Sequence, residues 1–163
     1  IMLSGESAAG KYPAEAVKVM AEIASYTEQH TAYKSRFLSA EFQIQNMLDA
    51  ISHATCAMAI DVDAKGIVVS SVSGKMMVSR FRCPVPIIGM TTDRKVWRKL
   101  ALSWGVYPAM SDEFMSMDVM FYHALAGAKR FLHLQKGDRV VLTGGPINGK
   151  SGNTNTIKVE EIN

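Results

Sequence analysis

Residues 85–110, VPIIGMTTDRKVWRKLALSWGVYPAM, decide the fold. The segment opens with an apolar run at 85–90, continues with helical spacing from Asp93 to Ser103, and ends after Gly105 in a second apolar run at 106–110. Two short apolar strands joined by a helix predict a right-handed crossover between parallel strands of one sheet. We therefore expect a βαβ unit here.

The same alternation extends in both directions from this unit. Apolar strands are predicted at 66–70 and 139–143, and helices at 44–59 and from Ser116 onward. The last strand, 156–162, follows a loop at 144–155 without a helix to carry the chain back, so it should run antiparallel. The sequence predicts a three-layer α/β/α sandwich around a mixed five-stranded sheet, mostly parallel with an antiparallel last strand.

The first 41 residues have a different character. Residues 1–3 form an apolar, strand-like triplet, and residues 13–29 form an amphipathic helix that opens with Pro13. Residues 31–41 lose periodicity, which predicts a linker. Because the chain does not begin with methionine, we expect it to be a piece of a longer protein.

Composition excludes several classes of protein. The chain has 163 residues, 48% hydrophobic and 20% charged, which is typical of a globular domain. A net charge of +3 is too small to predict a nucleic-acid or membrane partner, and no apolar run approaches the roughly 20 residues of a membrane span. No signal peptide is visible, so we expect a cytoplasmic protein. Neither the two cysteines nor the four histidines have metal-ligand spacing, so no metal site is expected.

A glycine-rich loop, GGPINGKS at 144–151, satisfies the P-loop pattern after a predicted strand. A P-loop requires a helix to begin at its Lys-Ser pair, yet an alternating strand follows here. The residues leave open an NTPase loop, a plain hairpin and a phosphate-binding loop of another kind. Four glycines with Lys150, Ser151 and Thr154 would offer backbone donors, hydroxyls and a cation.

A second loop, SSVSGK at 70–75, follows the first predicted strand. It lies at the carboxyl end of that strand, where open α/β sheets bind ligands. A phosphate cradle and an ordinary polar turn are both compatible with these residues. The two loops together could face one ligand. No nucleophile with a paired base and no carboxylate pair stands out.

Three stretches together resemble one family: MLSGESAAGKYP at 2–13, PVPIIGMT at 84–91 and GKSGNTNTIKV at 149–159. The chain is similar to the carboxyl-terminal part of pyruvate kinase over its whole length. The resemblance implies that residues 1–32 are the last strand and helix of the catalytic (β/α)8 barrel. Residues 40–163 would then be the C-terminal allosteric domain.

The resemblance also implies an activity. Pyruvate kinases transfer the phosphoryl group of phosphoenolpyruvate to ADP with Mg2+ and often K+, using residues of earlier barrel strands. Of the matching motif only Ser4 and Glu6 would approach the substrate pocket, where they would orient water or a proton donor. We expect no metal in this piece, and expect it to be inactive alone.

The family's regulatory domain binds a phosphorylated sugar or nucleotide between two loops and contributes to a homotetramer. The resemblance carries effector binding onto two sets of residues. They are Ser71, Ser73, Gly74 and Lys75 in one loop, and Lys150, Ser151, Gly152 and Thr154 in the other.

Two positions depart from the family pattern. Met76 stands where many members have a hydroxyl, and Met120 where members activated by sugar bisphosphates have an arginine. Both favour a monophosphorylated effector. The competing interpretation is a stand-alone, non-enzymatic phosphate-ligand sensor or oligomerisation module.

Overall fold

The computed structural model describes residues 1–70, 77–145 and 154–163, and divides the chain into two units, residues 1–32 and 33–163. The first unit contains two helices, α1 (Gly5–Ala8) and α2 (Pro13–Gln29). Pro13 begins α2, because the first helical position needs no backbone N–H donor. Residues 1–3 lie in no strand, since no described strand pairs with them. Their placement in a barrel stays a prediction.

The segment 31–41, predicted as a linker, contains a helix, α3 (Tyr33–Ser39), so the prediction of an irregular segment is wrong. The division between the two units nevertheless falls within this segment, after residue 32. Phe37 anchors this helix and is only 5% exposed. Its ring lies 5.4 Å from that of Phe42 and 5.1 Å from that of His53, measured between centroids. A single buried side chain leaves no 3.6-residue stripe in the sequence, which explains why periodicity did not predict α3.

The rest of the second unit alternates helices and strands. The strand β1 (Gly66–Ser70) follows α4 (Met47–Asp61), and a 3₁₀ helix (Met77–Phe81) precedes β2 (Ile87–Thr91). Thereafter the order is α5 (Arg94–Leu100), β3 (Val106–Met110), α6 (Met117–Phe131), β4 (Arg139–Gly144) and β5 (Thr156–Glu161).

The strands form one sheet in the order β3-β2-β1-β4-β5. The first four are parallel, and β5 is antiparallel to β4, with Arg139 opposite Glu161 and Gly144 opposite Thr156. The predicted fold class is therefore confirmed.

Alternate side chains of the sheet build a core on each face. Ile67, Ile87 and Val141 pack with buried residues of α4 and with Leu100 of α5. On the other face, Phe121, Ala124 and Ala128 of α6 pack against five strand residues. These are Val68, Ile88, Met90, Val140 and Leu142. Helices thus cover both faces of the sheet, as the predicted sandwich requires.

The two cysteines are buried, free thiols in the first of these cores. A side-chain hydrogen bond with Cys83, together with burial, raises the pKa of Cys56. A thiol with a raised pKa stays protonated, and the thiol is a weak nucleophile. Cys56 therefore acts as a packing residue.

A buried carboxylate ties the start of α4 to the 3₁₀ helix. Asp49, 1% exposed, accepts hydrogen bonds from Arg80 Nη1 at 2.8 Å, from the backbone N of Gln45 at 3.2 Å and from Asn46 Nδ2 at 3.3 Å. In return, Asn46 Oδ1 accepts from the backbone N of Asp49 at 2.9 Å. Asn46 thereby caps α4, which begins at Met47 rather than at the predicted residue 44.

We predict that Asp49→Ala lowers the free energy of unfolding by about 2 to 4 kcal/mol. Breaking a buried ion pair costs about 3 to 5 kcal/mol, and the effect is smaller here because the Arg80 side chain is 41% exposed. Asp49→Asn keeps an oxygen acceptor and should lose about half as much. Urea unfolding of both variants measures this, and an unchanged midpoint for Asp49→Ala would contradict the clamp.

Candidate functional site

The carboxyl edge of the sheet brings together the starting points of the two predicted binding loops. The neighbouring strands β1 and β4 run parallel with Val69 opposite Thr143, and they end at Ser70 and Gly144. The chain therefore leaves both strands at the same edge. Ligands of open α/β sheets bind outside this edge.

Most of the predicted effector residues lie outside the described residues. These are Ser71, Ser73, Gly74, Lys75, Lys150, Ser151 and Gly152, together with Met76. Their roles stay predictions.

Thr154 is the one predicted effector residue that lies within the described part of the chain. It is half-buried and precedes β5 by two residues. Beside it, the backbone N of Asn155 donates to the carbonyl of Gly144 at 3.0 Å, and Thr143 Oγ1 donates to the carbonyl of Thr156 at 2.9 Å. These bonds hold the entry to β5 at the carboxyl edge.

Met120 belongs to the core next to the start of the β4–β5 connection. It is 7% exposed on α6, and a Cβ added to Gly144 would lie 2.9 Å from Met120 Cε. A thioether is a weak acceptor without charge. Met120 therefore offers no cation to a second phosphate.

Ser4 and Glu6 belong to the first unit and are exposed. The carbonyl of Ser4 accepts hydrogen bonds from the backbone N atoms of Ser7 at 3.2 Å and Ala8 at 3.0 Å. Glu6 lines a cavity of about 650 Å3 within this unit, beside Leu3, Lys11 and Tyr12. The structure thus places both predicted residues on the short α1 turn, one at its start and one in its first turn.

Gly10 fixes the corner between α1 and α2. A Cβ at this position would lie 2.5 Å from the backbone oxygen of Glu6. A backbone atom cannot give way as a flexible side chain does, so only glycine fits without moving the chain. Gly10 of the GESAAGKYP motif is therefore a packing requirement of the turn that carries Glu6.

The second unit contains cavities that sequence reasoning missed. One of about 510 Å3 is lined by residues of β2, β3, α6 and the loop between β3 and α6, including Asp112, His123 and Arg130. Another of about 300 Å3 is lined by three arginines and three phenylalanines, among others. Each draws on residues far apart in the sequence, so no short motif could have indicated it.

Within residues 1–70, 77–145 and 154–163, no three His, Cys, Asp or Glu side chains are grouped so as to hold a metal ion. None of the helices in this part of the chain is long and apolar enough to span a membrane.

These features define a three-layer α/β domain with a mixed sheet, in which the chain leaves the neighbouring strands β1 and β4 at the same edge. The sequence family described as "Pyruvate kinase, alpha/beta domain" matches residues 49–160. The chain belongs to the pyruvate kinase family.

Individual relatives match almost the whole chain. A pyruvate kinase of Clostridium acetobutylicum is 42% identical over 166 residues, covering 99% of this chain and 35% of the relative. That of Geobacillus stearothermophilus is 40% identical over 165 residues, covering 99% and 28%. Pyruvate kinase 2 of Synechocystis is 37% identical over 164 residues, covering 99% and 27%. The chain thus spans about a third or less of these relatives.

Proposed function

We propose that this chain is the carboxyl-terminal regulatory domain of a pyruvate kinase, together with the last unit of its catalytic barrel. The match to pyruvate kinases over 99% of the chain carries this proposal, and it favours part of an enzyme over a stand-alone sensor. The separation of residues 1–32 from 33–163 supports the assignment of the first unit to the catalytic barrel. The full enzyme would work in the cytoplasm.

The parent enzyme would transfer the phosphoryl group of phosphoenolpyruvate to ADP. Its Mg2+ and K+ would neutralise phosphate charge, with ligands from the part of the relatives that this chain does not cover. The role proposed for Ser4 and Glu6 is to orient water or a proton donor at the substrate pocket. Their common place on the α1 turn supports a joint role.

The regulatory unit would bind the phosphate of a monophosphorylated sugar or nucleotide. Support comes from β1 and β4, which direct the loops after them to one edge. Ser71, Ser73, Gly74 and Lys75 would then face Lys150, Ser151, Gly152 and Thr154. Charge-assisted hydrogen bonds contribute about 1.5 to 3 kcal/mol each, so two lysines would dominate the affinity.

Assembly into a homo-oligomer would use the edge strand β5. Among the described residues this strand pairs only with β4, and its Val159 is 38% exposed. An edge strand offers unpaired backbone groups, and a twofold axis pairs it with its own copy.

We predict that Lys150→Ala weakens effector binding roughly tenfold or more, because one charge-assisted bond is worth at least about one decade. Calorimetry with ribose 5-phosphate, glucose 6-phosphate and AMP measures the change. Fructose 1,6-bisphosphate should gain nothing from its second phosphate, because Met120 is uncharged. Lys99→Ala, on exposed α5, is the matched control. Equal affinity of the wild type and Lys150→Ala would contradict the proposed effector site.

We predict a dimer in sedimentation equilibrium of the purified chain, weakened by Val159→Lys because the added charge would lie at the paired edges. Val17→Lys, at a similarly exposed valine of α2, should leave the dimer intact. A single species of 17.8 kDa at high micromolar concentration would speak against assembly through β5.

We predict no turnover by the purified chain with phosphoenolpyruvate, ADP, Mg2+ and K+. One strand and helix of a barrel cannot assemble a pocket that draws residues from several strands. A full-length pyruvate kinase serves as positive control in the same coupled assay. Activity that rises with chain concentration above the no-protein blank would show that the chain holds a complete site.

A further inference from the structure

A small cavity of about 300 Å3 in the second unit is rich in positive charge. It lies where α3 and the residues after it meet the 3₁₀ helix, and no acidic side chain lines it. Its lining residues are Tyr33, Arg36, Phe37, Ala40, Phe42, Arg80, Phe81 and Arg82. None of them belongs to the residues proposed above for the effector.

Two of the three arginines carry uncompensated charge. Arg80 is held by Asp49 at 2.8 Å and by the carbonyl of Gln43 at 3.2 Å. Arg36 and Arg82 have no carboxylate within 4.0 Å in the part of the chain that the structure describes. The 71–76 and 146–153 segments contain no Asp or Glu. Arg36 and Arg82 therefore give this part of the cavity wall a net positive charge.

The backbone at Arg82 is held in a conformation that is rare for such a residue. Its φ is +51°, in the left-handed region that glycine adopts most easily. The neighbours on either side, Phe81 and Cys83, are each 1% exposed, so the chain cannot relax here. Strained residues held by their surroundings cluster at ligand sites.

The Arg82 guanidinium also stacks on an aromatic ring. It lies 5.1 Å from the ring centroid of Trp104, whose carbonyl accepts a hydrogen bond from Ser79 Oγ at 2.6 Å. A guanidinium on an indole face keeps its N–H groups free at the edge of its plane. The ring therefore fixes the plane of the Arg82 guanidinium and leaves the N–H groups at its edge clear of the indole.

The walls of the cavity are aromatic. The ring of Phe42 lies 5.4 Å from that of Phe37 and 5.0 Å from that of Phe81. Apolar walls with few, fixed polar groups are typical of small-molecule sites, and about 300 Å3 is the lower end of their usual size. The cavity suits an organic molecule with a compact carbon skeleton better than a bare ion.

We propose that this cavity binds a small organic dianion, a phosphate monoester or a dicarboxylate. Arg36 and Arg82 bind its charged oxygens, and the half-buried ring of Phe42 contacts its carbon skeleton. Guanidinium groups fit both anions because their paired N–H donors match two oxygens at once. The proposal is independent of the β1 and β4 loops and of any activity of the parent enzyme.

The test is calorimetric titration of the 163-residue chain at constant ionic strength with phenyl phosphate, succinate and acetate. We expect saturable binding of at least one dianion and at least tenfold weaker binding of the monoanion acetate. Tighter binding of phenyl phosphate assigns the site to phosphate monoesters, and tighter binding of succinate assigns it to dicarboxylates. Fluorescence of Trp104 in a Trp97→Phe background should change with the same midpoint.

Variants locate the ligand. Arg36→Gln and Arg82→Gln should each weaken binding at least tenfold, whereas Arg98→Gln, an exposed arginine of α5, should leave it unchanged. Arg82→Gly also removes the guanidinium but suits the left-handed backbone, so it should stay folded in urea unfolding and still fail to bind.

Three outcomes would overturn the proposal. One is the absence of saturable binding up to about 50 mM, an affinity too weak for a built site. Another is equal weakening by Arg98→Gln, which would indicate nonspecific attraction. The third is loss of binding in Lys150→Ala with full binding in Arg82→Gly, which would place the anion in the proposed effector loops instead.

Discussion

The pairing of β1 with neighbours on both sides is the constraint on which the second unit depends. Its backbone bonds to β2 through residues 67–70 and to β4 through residues 66–69. Ile67 and Val68 point into opposite cores, so one strand couples the α4 face to the α6 face. A one-residue shift of β1 would exchange these faces, so that Ile67 would meet α6 and Val68 would meet α4, and both cores would have to repack. The positions at which chains leave the carboxyl edge follow from the same register.

Sequence periodicity predicted this part of the structure well because it reports burial. The alternation across 85–110 predicted β2, α5 and β3, and the missing helix before 156 predicted the antiparallel β5. The predicted boundaries of helices and strands were wrong by a few residues where a capping or proline residue determines the end of the element. Asn46 delays the start of α4, and β2 begins at Ile87, directly after Pro86, which has no N–H for a strand ladder. Helix α3 was missed because Phe37 alone anchors it.

The candidate sites also differ in how far the sequence could predict them. The glycine-rich segment at 144–151 and the serine-rich one at 70–75 are contiguous, so their composition and place after strands could indicate a phosphate site. The arginine cavity unites Arg36 with Arg80 and Arg82, more than 40 residues apart. Phe42 brings them together, because its ring packs both on Phe37 of α3 and on Phe81 of the 3₁₀ helix. Composition also cannot reveal that Asp49 forms an ion pair with Arg80 rather than with Arg36 or Arg82.

In the β4–β5 hairpin, strand pairing fixes the register of β5, so the connection between the strands does not have to. Six residue pairs, from Arg139 with Glu161 to Gly144 with Thr156, fix the register of β5 without help from the connection. The entropy of closing such a connection grows slowly, by about 0.6 kcal/mol for each doubling of its length. Insertions and deletions between the two strands are therefore inexpensive for the fold. Related chains can therefore vary the length of this connection while the sheet beneath stays the same.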